Sequence, residues 1–101
     1  MMHLLCHPFF LQEWELEAEN GGKIKLTFES FDVEPKSSWQ TSCGNDYVEV
    51  SYDSFSQKFC GNKIPGRPGP FISSGDTMTV KFHSDTFDQR SGFSAVWTEI
   101  L

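Results

Sequence analysis

The sequence predicts an all-β protein built as an antiparallel sandwich or barrel, and three observations carry that prediction. From Trp14 onward apolar residues recur with a period of two, the mark of strands with one buried face. No stretch combines a 3.6-residue apolar period with capping signals, so no long helix is expected. Gly, Pro, Asn and Ser cluster between the alternating segments, where they break strands into short lengths.

Taken in chain order, Met1 to Leu11 is apolar but lacks the basic start and the small-residue cleavage site of a secretory leader. It is read as an irregular or processed segment preceding a domain at residues 12–99; a weak leader and an alternative start explain it equally well. Trp14, Leu16 and Ala18 then alternate with Glu13, Glu15 and Glu17. Asn20-Gly21-Gly22 follows, and Ile24, Leu26 and Phe28 alternate with Lys25, Thr27 and Glu29. Two alternating runs around a turn that tolerates positive φ predict a β-hairpin. Val48 with Val50, then Met78, Val80 and Phe82, then Phe93, Ala95 and Trp97 supply three more strands. Pro65 to Pro70 and Ser73 to Asp76 read as loop and turn. The ten Phe residues are assigned to the core, because aromatic rings fill the gap between two sheets.

A chain of 101 residues supports one hydrophobic core and therefore one domain. Its formal net charge of -6 at pH 7 argues against a nucleic-acid surface, which needs clustered Lys and Arg. An acidic balance suits cationic partners or a hard divalent ion, and it also serves plain solubility. No apolar run approaches the ~20 residues of a membrane span. Cys6, Cys43 and Cys60 cannot all pair within one chain. Cys43 and Cys60 have no partners at zinc spacing, which favours a disulfide and an oxidising compartment. Closing that short loop is worth about 3 kcal/mol on the chain-entropy view.

His83, Ser84 and Asp85 invite a catalytic-triad reading that fails on geometry, since neighbours along a strand point to opposite faces. His3, Cys6 and His7 offer part of a zinc set without a fourth ligand. Asp32, Glu34, Asp46, Asp85 and Asp88 place carboxylates at three predicted loop ends. By spacing alone they read as solvated carboxylates or as the converging ligands of one cation, and calcium is the ion whose flexible oxygen shell would accept them.

Phe28-Glu29-Ser30-Phe31-Asp32-Val33-Glu34, Cys43-Gly44-Asn45-Asp46-Tyr47-Val48-Glu49-Val50, Phe59-Cys60-Gly61, Phe82-His83-Ser84-Asp85 and Ser91-Gly92-Phe93-Ser94-Ala95 with Trp97 resemble the CUB domain family in order and spacing. The resemblance implies a two-sheet, jelly-roll-like β-sandwich of secreted or cell-surface proteins, non-enzymatic and used for protein recognition. It implies one Ca2+ held by Glu34, Asp46 and Asp85, with Asp88 or the Phe87 backbone carbonyl in support, and a partner Lys or Arg meeting the same acids beside Tyr47. The other reading it allows is a metal-independent structural or adhesive module of a larger secreted or membrane-anchored protein, with contacts on loops such as Pro65 to Pro70 that include Arg67. Three departures stand out. Gln12 occupies the place of a family cysteine, the residues for the first strands and a supporting tyrosine are missing, and Phe87 replaces a Ser or Asn that often supports the ion. An incomplete sandwich with an exposed sheet edge is the structural expectation that follows.

Overall fold

The computed structural model describes residues 2–6, 11–33, 43, 46–62, 64–65, 70–83 and 92–101, with Met2–Cys6, Leu11 and Gly92 as backbone. Its eight strands are β1 (Met2–Cys6), β2 (Leu11–Glu17), β3 (Lys23–Asp32), β4 (Tyr47–Tyr52), β5 (Phe55–Phe59), β6 (Phe71–Ile72), β7 (Thr77–His83) and β8 (Gly92–Ile100). They form two four-stranded sheets, in the orders β1-β8-β3-β6 and β2-β7-β4-β5. Every pairing is antiparallel. The all-β sandwich expected from the alternation is present, and no helix occurs among the described residues.

The period of two decides which side chains meet between the sheets. Ile24, Leu26, Phe28, Phe31, Phe93 and Ala95 are buried from the first sheet, and Leu16, Val48, Val50, Met78, Val80 and Phe82 from the second. Phe93 lies at the centre, with ring centroids 5.6 Å from both Trp14 and Phe28 and 6.1 Å from Phe82. Phe71 closes one side by contact with Phe28, Phe55 and Phe59. Five phenylalanines are thus buried and two more pack partly buried against them; Phe9, Phe10 and Phe87 lie outside the described residues. The register of β3 on β8 shifts between Phe28 and Ser30. This bulge spends one residue out of phase, so Phe28 and Phe31, of opposite parity in a regular strand, both reach the core.

Two expectations need correction, and two strands were not foreseen. The segment expected to be irregular contains β1, whose five residues pair with β8 from Met2 opposite Trp97 to Cys6 opposite Phe93. The edge of β8 is therefore occupied, and the pairing satisfies backbone donors and acceptors of both strands. Strands β2 and β3 do not form a hairpin: β2 pairs with β7 and β3 with β8 and β6. Asn20-Gly21-Gly22 is instead a corner between sheets. A corner and a hairpin ask for the same local conformation, here φ 73° at Gly21, so turn chemistry cannot separate them. Finally, β5 and β6 carry no alternation long enough to read; β5 exposes three consecutive polar residues, Ser56, Gln57 and Lys58.

The corner is held by one carboxylate. Glu99 on β8 accepts hydrogen bonds from the backbone N–H of Asn20 at 3.0 Å, the backbone N–H of Gly22 at 2.8 Å and the Asn20 side-chain amide at 3.2 Å. Ala18 N–H donates to the Asp76 carbonyl at 2.8 Å and completes the tie to the second sheet. Gly22 has no room for a Cβ, which would run into the Ile100 carbonyl.

Candidate functional site

Residue spacing along β3, β4 and β7 brings three strand ends to the end of the sandwich away from this corner. There β3 finishes at Asp32, opposite Gly92. Tyr47 opens β4 opposite His83, the last residue of β7. Two links draw the neighbouring chain in. Val33 and Gly61 exchange backbone hydrogen bonds of 2.9 Å in both directions, and Cys60, next to Gly61, is disulfide-bonded to Cys43 with Cα atoms 5.9 Å apart. The disulfide expected from the cysteine spacing is present.

Asp46 lies immediately before β4 and is only 2% exposed. A carboxylate removed from water persists only with hydrogen-bond donors or a cation around it, and its oxygens are the hard donors that calcium takes. On that ground the residue fits a calcium site. Asp46 is the one member of the expected ligand set that lies among the described residues: Glu34, Asp85, Asp88 and Phe87 lie outside them, as does Arg67. Val33, at the bridge, directly precedes Glu34 in the chain, and His83 stands two residues before Asp85. Among the described residues no group of three or more His, Cys, Asp or Glu side chains is gathered as for a metal.

Tyr47 is half-buried and held from two neighbouring strands. Its ring stacks on His83 with centroids 4.9 Å apart and an interplanar angle of 14°. The Lys58 ammonium lies 4.5 Å from its centroid, within cation–π range. This arrangement fixes the chain one residue after Asp46. Lys58 was not among the residues expected at the site; the signal was its diagonal position across the β4–β5 pair, legible only once β5 is known. The same outer face carries a register row of alternating charge, Glu13, Lys81, Glu49 and Lys58. Its salt bridge, Lys81 to Glu13 at 4.0 Å, is exposed and so contributes little to stability.

Gln12 sits on the core-side parity of β2, opposite Phe82, and its Oε1 is buried without a hydrogen-bond partner among the described residues. Asp53, in the β4–β5 turn away from the candidate site, accepts the Ser74 N–H at 2.9 Å. That backbone bond, with the Ser74 hydroxyl adding to it, holds the exposed Asp53 carboxyl below its ordinary value.

The described residues thus form an all-β sandwich of two four-stranded sheets with one end tied by a disulfide. The chain belongs to the CUB domain family, which it matches over residues 12–97. CUB domains are extracellular protein–protein interaction modules. Cubilin of Canis lupus familiaris is 41% identical over 93 residues, covering 86% of this chain and 2% of that protein. Human tolloid-like protein 1 is 39% identical over 88 residues, covering 81% of this chain and 8% of that protein. The chain thus spans a small part of the curated relatives it matches, and these relatives are extracellular or secreted. Among solved structures, the MASP-1 CUB2 domain bound to Ca2+ superposes with a TM-score of 0.77 at 22% identity, covering 94% of this chain and 88% of that one. The CUB1-EGF-CUB2 domain of human MASP-1/3 gives a TM-score of 0.74 at 28% identity, covering 89% of this chain and 35% of that one. No helix among the described residues is long and apolar enough to cross a membrane.

Proposed function

We propose that this chain is a non-enzymatic, extracellular protein-recognition module whose binding end holds one calcium ion through Glu34, Asp46 and Asp85, with Asp88 or the Phe87 carbonyl in support. The observation that carries the reading is the buried carboxylate of Asp46 at a strand end, beside the tyrosine clasped by His83 and Lys58. The calcium named for the MASP-1 CUB2 structure supports it by family likeness. The ion supplies positive charge that lets neighbouring carboxylates approach one another. The chain's own residues do the rest: Asp46 directs its oxygens from a shielded position, and Tyr47 keeps the start of β4 in place. An exposed Lys or Arg of the partner then completes a charge-assisted network with the same acids.

Thermal unfolding of the oxidised protein in millimolar calcium and in excess chelator tests this. Calcium that binds the native state stabilises it by about 2.7 kcal/mol when present at a hundredfold excess over the dissociation constant. The calcium-dependent rise is expected in the native protein and is expected to vanish in Glu34→Ala, Asp46→Ala and Asp85→Ala. Identical melting in calcium and chelator would overturn the metal assignment and leave a metal-independent module.

A further inference from the structure

The corner opposite the binding end contains the pair Asn20-Gly21, and its hydrogen bonds are unevenly distributed. Of three consecutive backbone amides, those of Asn20 and Gly22 donate to Glu99, whereas the Gly21 N–H between them has no hydrogen-bond partner among the described residues. Gly21 is exposed, has φ 73° and has nothing within 4 Å of the place where a Cβ would stand. Open grooves lie on both sides, one lined by Gly21 and Gly22, the other by Asn20 and Glu99. Water and space are therefore available around a nitrogen that sits next to the Asn20 side-chain amide carbon in the chain.

We propose that Asn20-Gly21 is a modification site at which the folded protein deamidates, with water as the only co-reactant, and that this conversion loosens the corner between the sheets. The Gly21 nitrogen, giving up its proton to solvent, bonds to Asn20 Cγ. The Cγ–Nδ2 bond breaks, and the nitrogen leaves as ammonia after taking a proton from water. Water then adds to one or the other carbonyl of the cyclic imide and opens it, leaving aspartate or iso-aspartate. The net change is amide plus water to carboxylate plus ammonium, without any change in oxidation state. Glycine in the second position is what admits the reaction, because no side chain obstructs ring closure. Asn45 and Asn62, the other asparagines of the chain, precede Asp46 and Lys63, which carry side chains.

The product cannot keep the corner as it is. The Asn20 amide donates to Glu99 Oε1 at 3.2 Å; a carboxylate there places acceptor against acceptor and charge against like charge. Iso-aspartate also reroutes the main chain through the former side chain, which displaces Gly21 and Gly22. Gly22 N–H must stay on Glu99 while its Cα stays against the Ile100 carbonyl, and a lengthened backbone does not satisfy both.

The test incubates the full oxidised chain at physiological temperature at mildly acidic and mildly alkaline pH, follows each asparagine by peptide mass mapping, and records the melting curve over time. Conversion at Asn20 is expected to exceed that at Asn45 and Asn62 several-fold, to rise with pH, and to be accompanied by a lower-melting population. Asn20→Ser is expected to show no time-dependent loss, and Asn20→Asp to melt below the native protein from the outset. Asn20 remaining an amide in the folded chain while it converts in the denatured chain would overturn the site, and conversion with unchanged melting would overturn its effect on the corner. If Asn20→Asp does not fold, the incubation series on the native sequence decides the question alone.

Discussion

Gln12 shows how a single residue can conflict with its position. Its parity on β2 directs it to the core side, opposite Phe82, and its Oε1 ends buried without a hydrogen-bond partner among the described residues. A buried acceptor left unmade costs about 1–3 kcal/mol, whereas an apolar chain of similar volume has no such cost. Gln12→Leu is therefore expected to raise stability by about 1 kcal/mol, measured by urea unfolding; an unchanged or lower midpoint would show that the amide nitrogen makes a compensating contact. Ser73 is the contrasting case. It is 2% exposed, yet it accepts from Ile24 N–H and donates to the Gly75 carbonyl at 2.9 and 2.7 Å, so its burial incurs no unmade bond.

Among the elements, the turns carry more of the architecture than their exposure suggests. The β4–β5 turn turns back at Asp53, a non-glycine residue at φ 53°, a conformation that Asp and Asn tolerate better than most. Its carboxylate reaches Ser74 in the turn between β6 and β7 and so ties a turn within the second sheet to the connection between the two sheets. Because the folded-state pKa is depressed below the ordinary 3.8, the unfolded chain binds the proton more readily. The stabilisation is then fully present above the ordinary value and is lost as pH falls through the folded value. Asp53→Asn is accordingly expected to melt below the native protein at neutral pH, with the gap closing in acid below the ordinary carboxylate range. A gap independent of pH, followed by calorimetry across that range, would mean that the bond to Ser74 does not depend on charge.

At the scale of the whole molecule, stability rests on one aromatic core and one covalent link. Phe93 meets Trp14, Phe28, Phe31 and Phe82, so both sheets depend on it. The Cys43–Cys60 disulfide spans 17 residues and, on the chain-entropy account, contributes about 3 kcal/mol. It also fastens the chain leading to Asp46 to the bridge between Gly61 and Val33. Replacing both cysteines by serine is expected to cost about that much in denaturant unfolding and to shrink the calcium-dependent rise in melting temperature. A full calcium response in the serine variant would show that the binding end is organised without the covalent link.

The alternation of apolar residues determined that β2, β3, β4, β7 and β8 exist and which face of each is buried, because side-chain period is a local property of the strand. The Cys43–Cys60 pair, the strand-only character of the described residues and the family were legible for the same reason: composition and spacing carry them. Which strand pairs with which was not legible. Backbone donors and acceptors are the same at every residue except proline, so β2 could be matched to β3 or to β7 with equal local satisfaction. Only packing of both apolar faces into one core sent them to different sheets. Tertiary structure likewise decided that Met2–Cys6 covers β8, that the bulge before Ser30 brings Phe28 and Phe31 inward together, and that Lys58 and His83 clasp Tyr47. Each depends on residues distant in sequence meeting across a strand pair, a relation that no local pattern contains.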